Sequence, residues 1–485
     1  MPSFDIHAAA RRAMITNGFQ PDVPADVVAE VSKAADPATL PLGNVKDLRA
    51  LAWSSIDNDS SLDLDQLEVA EKLANGDIRV SVAIADVDAT VAQNSATDRF
   101  AEANSCSVYT GVVTYPMLPD RLSTQLTSLA QDADRPCIVI AFVAGADGTV
   151  KSHDVYVARV ENKAKLAYSN VGAWLDGRGP IAAVANATVQ EQLRLQDTAA
   201  TLLRGERGRR GALSLDTIEA QTVMRADKTV SVELVQKTRA SHLIEDFMIA
   251  ANVAMAQFLD EHKSPTIRRV VRTPERWDRI VALAAALGEK LPTTPDSQAL
   301  ETFLTKRAAA DPEHYPDLSL SVVKLIGPGV YELHLPGTPD TGHFGLATHD
   351  YTHATAPNRR FADLVTQRLV KAVLAGKPAP YTAEELTKIA AHCTEREDAA
   401  RKVERQVRKE AAAASFASHV GESFDAIVTG VSPKGTFVRV VTPPVEGRVM
   451  RGEQGLDVGD KTRVKLLSTD PAHGFIDFGV EPRQV

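Results

Sequence analysis

The sequence has few cysteines and no pairing pattern among them. Only three of the 485 residues are cysteine, Cys106, Cys137 and Cys393, and no Cys-x-x-Cys spacing occurs. Neither a disulfide framework nor a cysteine-based zinc site is indicated, which is typical of a reducing cytoplasm. The chain also lacks any run of about 18 apolar residues and the apolar core of a signal peptide. We therefore expect a soluble, cytoplasmic protein that does not enter a membrane.

An excess of basic residues is missing as well. Asp and Glu number 63 against 54 Lys and Arg, which gives a formal net charge of −9. Proteins that coat nucleic acid normally rely on surplus Lys and Arg, so this class and duplex-DNA binding are disfavoured. A locally basic channel inside an acidic enzyme remains compatible with the balance. The composition is otherwise globular, and at roughly 150 residues per domain the length predicts two to four domains.

The strongest chemical signal is an acidic cluster in residues 55–66. Four aspartates fall within nine residues of the segment SIDNDSSLDLDQ: Asp57, Asp59, Asp63 and Asp65. Carboxylates held this close repel one another, and a fold that orders them usually does so around a cation such as Mg²⁺, which prefers hard oxygen ligands. Asp, Asn and Ser also form ordinary solvated turns, so the cluster alone leaves both interpretations open.

The segment after the cluster favours the cation-binding interpretation. Strand-like runs at 67–73 and 78–86 are joined by Ala-Asn-Gly-Asp, in which Asn75-Gly76 is a strong hairpin signal. Carboxylates at the mouth of a sheet are held by a rigid scaffold, whereas those of an isolated turn are not.

The pattern along the chain predicts three units. Residues 1–45 are predicted to form two or three short helices, in a small, helix-turn-helix-like module with 3 basic and 5 acidic residues. That charge favours a docking or substrate-steering role over direct DNA binding. Residues 46–418 mix strands and helices without βαβ alternation, which is typical of an α+β fold. Residues 419–485 contain five short strand-like pieces separated by turns, as in a small OB-type barrel.

Two helices of the central unit carry clear start signals. Ser241 is predicted to cap one that runs through SHLIEDFMIAANVAMAQFLDEH. A capping box, Thr382-x-x-Glu385, is predicted to open a long charged helix that ends near residue 418. Another helix is predicted over residues 358–374.

Taken in order, several segments resemble the catalytic domain of the ribonuclease II/R family of RNB-domain exoribonucleases. They are SIDNDSSLDLDQ, VSVAIADV, SVYTGVVTYPMLPDRLS, IEDFMIAAN and GHFGLATHDYTHATAPNRRFADLVTQRLV. The resemblance covers roughly residues 46–418, and its motifs differ in chemistry, so chance agreement is negligible. The C-terminal strands resemble the S1-type OB domain of the same enzymes. The family usually carries two N-terminal cold-shock barrels, and we expect no counterpart here, because about 45 residues cannot hold even one.

The resemblance implies a Mg²⁺-dependent exoribonuclease. Members thread single-stranded RNA through a channel and degrade it processively from 3′ to 5′, releasing nucleoside 5′-monophosphates. We expect one or two Mg²⁺ ions, single-stranded RNA as the partner, and a monomer.

The resemblance also assigns the catalytic positions. Asp57, Asp63 and Asp65 match three of four catalytic, metal-binding aspartates, and Arg359 matches the arginine that neutralises the scissile phosphate. The fourth metal position is Gln66, whose amide oxygen can still ligate Mg²⁺ but brings no charge, so metal affinity should fall. A catalytically weakened RNA-binding factor is therefore the rival interpretation.

Other positions are assigned to RNA contacts. Tyr109 matches an aromatic that stacks on the 3′-terminal base, and Leu215 stands where a phenylalanine usually faces it. Glu245 matches a residue that contacts the terminal ribose. The remaining assigned residues lie along the RNA path: Tyr168, Arg360 and Glu404, with Phe437 of the barrel available for stacking.

Further residues of the last motif are less directly chemical. Ala356 and Asn358 replace its usual Ser and Ile, which we interpret as packing changes. The spacings of His343, His349 and His353 match no zinc motif, so these side chains are expected to be structural or to contact RNA.

Overall fold

The computed structural model describes residues 4–39, 45–216, 219–224, 230–235, 237–433 and 435–481, with backbone alone for the segments between 217 and 236. Its α-helices are α1 (Ile6–Thr16), α2 (Ala25–Ser32), α3 (Ala96–Asn104), α4 (Tyr168–Leu175), α5 (Ala187–Arg209), α6 (Arg239–Glu261), α7 (Trp277–Ala286), α8 (Ser297–Ala310), α9 (Tyr315–Ile326), α10 (Phe361–Leu374) and α11 (Ala383–Phe416).

The strands fall into one large sheet, a barrel and smaller ribbons. Those of the first half are β1 (Lys46–Asp47), β2 (Ser54–Asp57), β3 (Gln66–Lys72), β4 (Ile78–Ala85), β5 (Val108–Tyr109), β6 (Thr114–Tyr115), β7 (Asp134–Ala144), β8 (Val150–Glu161) and β9 (Ala164–Ala167). Those of the second half are β10 (Glu219–Met224), β11 (Val230–Val235), β12 (Thr266–Val270), β13 (Val330–His334), β14 (Ser423–Ser432), β15 (Gly435–Val440), β16 (Glu446–Arg451), β17 (Lys461–Asp470) and β18 (Phe475–Val480).

The central sheet has the strand order β1-β8-β7-β4-β3-β2-β9. Its β3–β4 pair is antiparallel around the turn that Asn75-Gly76 predicted, and Gly76 has a φ of +88°, which favours glycine. Strands β2 and β9 run parallel at the sheet edge. Helices α5 and α6 cover one face, where Phe247 of α6 meets Phe142 of β7 edge-on. The mixed arrangement confirms the predicted α+β class.

The C-terminal strands form a closed barrel, in the order β14-β15-β16-β18-β17. Five strands and closure confirm the OB-type prediction, and the barrel has its own apolar core around Val438 and Phe478. The domain limits at 45 and 418 stay predictions.

Helix starts differ from the sequence predictions in two places. Thr238 caps α6, not Ser241, which lies in the first turn and completes a capping box with Thr238. Helix α10 begins at Phe361 and not at Asn358, because the backbone of Arg360 is still extended (φ −138°, ψ 122°) and Arg360 is the N-cap. The capping box of Thr382 and Glu385 at the start of α11 is confirmed.

The N-terminal helices pack onto the rest of the fold. Helix α1 lies along α11, and α2 lies beside α3. Of the helices that the structure describes, none is both long and apolar enough to cross a bilayer.

Candidate active site and RNA-contact residues

The acidic segment connects two adjacent strands of the sheet. Asp57 ends β2, Gln66 begins β3, and the residues between them form the loop, here called the acidic loop. The Asp57 carboxylate accepts hydrogen bonds from the Asn58 backbone N–H (2.6 Å) and the Ser61 hydroxyl (2.9 Å). Ser128 fixes the far side, since its hydroxyl lies 3.1 Å from the Leu64 nitrogen and 2.6 Å from the Leu62 carbonyl oxygen. The loop is therefore ordered by its own polar groups.

Asp65 is the most deeply buried carboxylate of the loop, with 2% of its surface exposed. One oxygen accepts the Asn358 N–H at 3.1 Å, and the other accepts Nε of Arg359 at 3.3 Å. Burial raises the pKa of Asp65 to about 7, even though the Arg359 charge pulls it down. Burial also raises the pKa of Asp63, and the neighbouring Asp57 charge raises it further. These carboxylates thus sense one another's charge.

The donor set of this loop fits a divalent cation of the Mg²⁺ type. Clustered carboxylates that carry raised pKa values are stabilised as anions by a cation beside them. Within the described residues, no group of three or more His, Cys, Asp or Glu side chains is arranged to enclose a metal. Mg²⁺ does not need such an enclosure, because it usually takes one or two carboxylates, keeps several waters and uses substrate phosphates as further ligands.

Gln66 and Asp59 differ in their surroundings. Gln66 pairs with Ile84 in the sheet and is 8% exposed, and its amide has no hydrogen-bond partner in the part of the chain that the structure describes. Asp59 is exposed, and its carboxylate accepts a hydrogen bond from the Ser169 hydroxyl at 3.2 Å. Asp59 is therefore directed to α4 at the surface, whereas Gln66 lies next to Asp65 inside the fold.

Tyr109 has 44% of its surface exposed. Burial raises the pKa of its phenol, the charges of Asp63 and Asp65 add to the increase, and the Arg359 charge opposes it, so the phenol interacts electrostatically with this site. Its backbone N–H donates to Oε1 of Glu404 at 3.0 Å. Glu404 therefore holds the strand that carries Tyr109.

Tyr168 lies on the other side of Asp57. It begins α4 directly after β9, in which Ala167 pairs with Asp57. Burial raises the pKa of Tyr168, and the charges of Asp57 and Glu68 add to the effect. Arg359, Tyr109 and Tyr168 thus interact electrostatically with carboxylates of the acidic loop, and their assigned roles stay predictions.

The remaining assigned residues lie in different settings. Glu245 accepts from Nζ of Lys237 at 3.2 Å, and its contact with His242 lowers its pKa to about 2. Arg360 has an ion pair with Asp363 at 2.7 Å inside the fold.

Leu215 and Phe437, the last two assigned residues, lie in different surroundings from each other. Leu215 packs against the apolar cluster of α7, α8 and α9. Phe437 is partly exposed on β15, opposite Arg448 of β16.

Sequence reasoning missed two buried groups beside the site. The Asn358 side chain lies 2.5 Å from the Thr127 hydroxyl, so it is an internal contact and not a packing change. Its departure from the family motif was the available signal. Glu68 of β3 is fully buried, and neither carboxyl oxygen has a hydrogen-bond partner among the residues described. An acidic residue two positions after Gln66 in a buried strand was the only sign of it.

The histidines of the GHFGLATHDYTH segment have contacts inside the fold. Nδ1 of His353 lies 2.7 Å from the Tyr331 hydroxyl, and His343 caps the turn at Phe344–Leu346. Burial lowers the pKa of both imidazoles, which therefore stay neutral in the folded protein near neutral pH.

Two family models match this chain. The RNB domain model matches residues 45–376, and the model of the RNase II-type exonuclease C-terminal S1 domain matches residues 422–481. The chain belongs to the RNB-domain family. The resemblance of the sequence motifs to ribonucleases II and R is thereby confirmed, and the central fold is an RNB domain.

Curated relatives of similar sequence are ribonucleases R. Ribonuclease R 1 of Lactococcus lactis is 29% identical over 472 residues, which cover 90% of this chain and 56% of the relative. Ribonuclease R of Thermotoga maritima is 30% identical over 462 residues, which cover 89% of this chain and 64% of the relative. Ribonuclease R of Escherichia coli is 29% identical over 469 residues, which cover 90% of this chain and 57% of the relative. The chain thus spans 56–64% of these relatives' length.

Solved structures share the fold. The apo form of Mycoplasma genitalium RNase R matches with a TM-score of 0.87 at 22% identity, covering 98% of this chain and 78% of that one. The complex of the same enzyme with double-stranded RNA matches with a TM-score of 0.88 at 24% identity, covering 98% of this chain and 83% of that one. Yeast Ssd1, described as a pseudonuclease, matches with a TM-score of 0.71 at 18% identity, covering 92% of this chain and 56% of that one. Because a pseudonuclease has the same fold, the fold alone does not decide between catalysis and binding.

Proposed function

We propose that this chain is a Mg²⁺-dependent 3′→5′ exoribonuclease that degrades single-stranded RNA processively to nucleoside 5′-monophosphates, acting as a monomer in the cytoplasm. The observation that carries the proposal is the meeting of Asp65 and Arg359, with which the phenol of Tyr109 interacts electrostatically. Carboxylates can hold the metal for phosphodiester hydrolysis, a guanidinium can stabilise phosphate charge, and an aromatic ring can stack on the terminal base. The ribonuclease R relatives support the choice of RNA as substrate.

Asp57, Asp63 and Asp65 would hold one or two Mg²⁺ ions, with the Gln66 amide as a neutral fourth group. When bound, such an ion supplies Lewis-acid stabilisation of phosphate charge and favours deprotonation of water. The protein's share is to keep the carboxylates ordered, through the turn at Asp57 and the two donors to Asp65.

Arg359 is assigned to the phosphate. Only its Nε contacts Asp65, and its terminal amino groups have no partner within the described part of the chain. A planar guanidinium can place two such donors on phosphate oxygens and stays charged at every working pH. The Asp65 contact therefore orients Arg359 and leaves its outer edge for substrate.

The aromatic and acidic residues around the loop are assigned to the RNA end. Tyr109 offers an exposed ring on which the terminal base can stack, and Tyr168 lies on the opposite side of Asp57. Glu245 has a depressed pKa and is a carboxylate at neutral pH, so it can accept a hydrogen bond from a ribose 2′-hydroxyl, the group that distinguishes RNA from DNA. Phe437 extends the stacking surface to the barrel.

A catalytically weakened RNA-binding factor is the second candidate, and the amide at Gln66 favours it. Purified protein, a 5′-labelled single-stranded RNA and Mg²⁺ separate the two. Stepwise shortening from the 3′ end with release of 5′-monophosphates supports the nuclease. Binding of the RNA without any release supports the rival.

Substitutions then test the assigned site. Asp65→Asn should abolish cleavage while RNA stays bound, because it removes a carboxylate ligand and keeps the size of the side chain. Asp59→Asn is the matched control and should cleave near the wild-type rate, since Asp59 is directed to the surface at Ser169. Equal rates for Asp65→Asn and wild type would remove Asp65 from the site.

A further inference from the structure

Helix α1 buries one continuous stripe against the catalytic fold. Its buried residues recur at helical spacing: Ile6, Ala9, Ala10, Ala13 and Met14. They form one apolar cluster with one face of α11 and the β5–β6 ribbon. The α11 and ribbon members include Val403, Val407 and Val108. Helix α1 therefore packs on α11, and α11 in turn packs on β5 of the ribbon.

The C-terminal end of α1 is fixed as well. The Arg396 guanidinium of α11 donates to the carbonyl oxygens of Asn17 (3.1 Å) and Gly18 (3.0 Å). The Asn104 side chain bonds to both the N–H and the carbonyl of Gln20, at 2.9 and 3.1 Å. These bonds hold α1 in one position relative to α11.

The ribbon on which α11 packs is the one that carries Tyr109. It has two residues in each strand, with Val108 opposite Tyr115 and Tyr109 opposite Thr114. A ribbon of this size is not stable by itself in water, so its position depends on what it packs against. Successive side chains of a strand point to opposite faces. Val108 is fully buried in the α1 cluster, whereas Tyr109, the next residue, is 44% exposed and lies outside that cluster.

The ribbon is held on two sides. On the α11 side, Glu404 accepts the Tyr109 N–H and lies next to Val403 of the α1 cluster. On the site side, the Ser107 N–H donates to the Arg359 carbonyl oxygen at 3.0 Å. Tyr109 is thus placed between the catalytic loop and the apolar cluster that α1 completes.

We propose that α1 is a positioning element for the RNA 3′ end: by completing, through α11, the apolar cluster that holds Val108, it fixes Tyr109 as the platform for the terminal base. This inference rests on the proposed function, and in particular on Tyr109 stacking on that base. Tyr109 contacts a base and not the reacting phosphate, so loosening α1 should weaken the grip on RNA and spare the chemical step. KM should rise while kcat stays within about twofold.

The full-length Met14→Ala variant tests this role. Met14 is 1% exposed, so its truncation leaves a cavity in the apolar cluster that also holds Val108. Stacking of one base is worth about 1–3 kcal/mol, which corresponds to about 5- to 150-fold in affinity, and this range is the upper limit of the effect on KM. Ile15→Ala is the matched control, because Ile15 is the next residue, is 51% exposed and lies outside the cluster.

A second readout reports the stacking itself. An RNA with 2-aminopurine at its 3′ end is bound to variants in the Asp65→Asn background, so that the RNA stays intact. We expect its fluorescence to be quenched by the parent protein and by Ile15→Ala. Met14→Ala and Tyr109→Ala should both reduce that quenching. In the active background, Met14→Ala combined with Tyr109→Ala should raise KM no more than Tyr109→Ala alone, because both changes remove one interaction.

The outcomes separate the two levels of inference. If Tyr109→Ala changes KM and quenching but Met14→Ala changes neither, or if their effects on KM add, the role of α1 is wrong and the base platform stands. If Tyr109→Ala changes neither quantity, the base platform of the proposed function is wrong, and the role of α1 is wrong with it. Should Met14→Ala fail to fold in a thermal melt, Ile6→Val removes a single methylene from the same cluster and must shift KM in the same direction.

Discussion

The contact between Thr127 and Asn358 determines how firmly Asp65 is held. Asn358 is 1% exposed, and its backbone N–H is one of the two donors to Asp65. The Thr127 hydroxyl lies 2.5 Å from the Asn358 side-chain amide and 2.9 Å from the Leu122 carbonyl oxygen. A hydroxyl has a single proton, so if it donates to Leu122, the amide must present its NH₂ group to Thr127. Either way, Thr127 is the hydrogen-bond partner that the described residues give the Asn358 side chain.

Thr127→Val removes this hydrogen-bond partner and keeps the shape of the side chain at position 127. The Leu122 carbonyl remains satisfied, because the backbone N–H of residue 127 also donates to it at 3.0 Å. The loss is therefore confined to the Asn358 amide, and a buried amide without a partner costs about 1–3 kcal/mol. Urea denaturation should show this decrease in the free energy of unfolding. Because Asn358 carries the donor to Asp65 and precedes Arg359, kcat should fall while KM stays unchanged.

Two further variants make the test specific. Thr127→Ser keeps the hydroxyl and should restore both stability and kcat. Thr124→Val removes a hydroxyl that donates to the Asp120 carbonyl outside the core, and it should change the free energy of unfolding by less than about 0.5 kcal/mol. If Thr127→Val matches Thr124→Val in stability and in kcat, Asn358 does not depend on Thr127 and the reasoning is refuted.

Three other predictions concern stability. Burial lowers the pKa of His343 from 6.5 to about 4. Between pH 6.5 and pH 4 the unfolded chain therefore takes up a proton that the folded protein does not. As pH falls through this range, roughly 3 kcal/mol of the free energy of unfolding should be lost. His343→Asn should flatten that pH dependence in urea denaturation; an unchanged slope would contradict it. Glu68→Leu should raise the free energy of unfolding by about 1–3 kcal/mol, since it removes two buried oxygens without partners among the described residues, and a decrease would show that they are satisfied. Asp246 is buried between Arg204 and Arg207, with an ion pair of 2.6 Å to each. Asp246→Asn should lower the free energy of unfolding by about 3 kcal/mol in a thermal melt, and a loss below about 1 kcal/mol would contradict this expectation.

Local patterns predicted much of the fold, because their signals lie within a few residues. The Asn75-Gly76 turn specified the β3–β4 hairpin, and the five short strands specified the barrel. The start of α6 was misplaced because Thr238 and Ser241 are both capping residues, and only geometry shows which one ends the extended chain. The stripe on α1 is visible in the sequence, but a stripe does not name its partner. Its packing against α11 depends on contacts between residues distant in sequence.

The candidate site divides in the same way. The acidic loop and Arg359 were found from motifs, since their residue types are those that the chemistry requires. The Thr127–Asn358 contact joins residues 231 positions apart, and the Tyr109–Glu404 contact joins residues 295 positions apart. Neither is encoded in a local spacing. Both became visible only when the fold showed which polar groups are buried together.

Gln66 is better understood from the state of its neighbours than as a missing ligand. Asp65 is already buried with a raised pKa, and the charge of Asp63 contributes to that increase. A carboxylate at position 66, 8% exposed and adjacent to Asp65, would add like charge where desolvation is already costly. The amide therefore lowers repulsion in the cation-free loop at the same time as it lowers attraction for a cation.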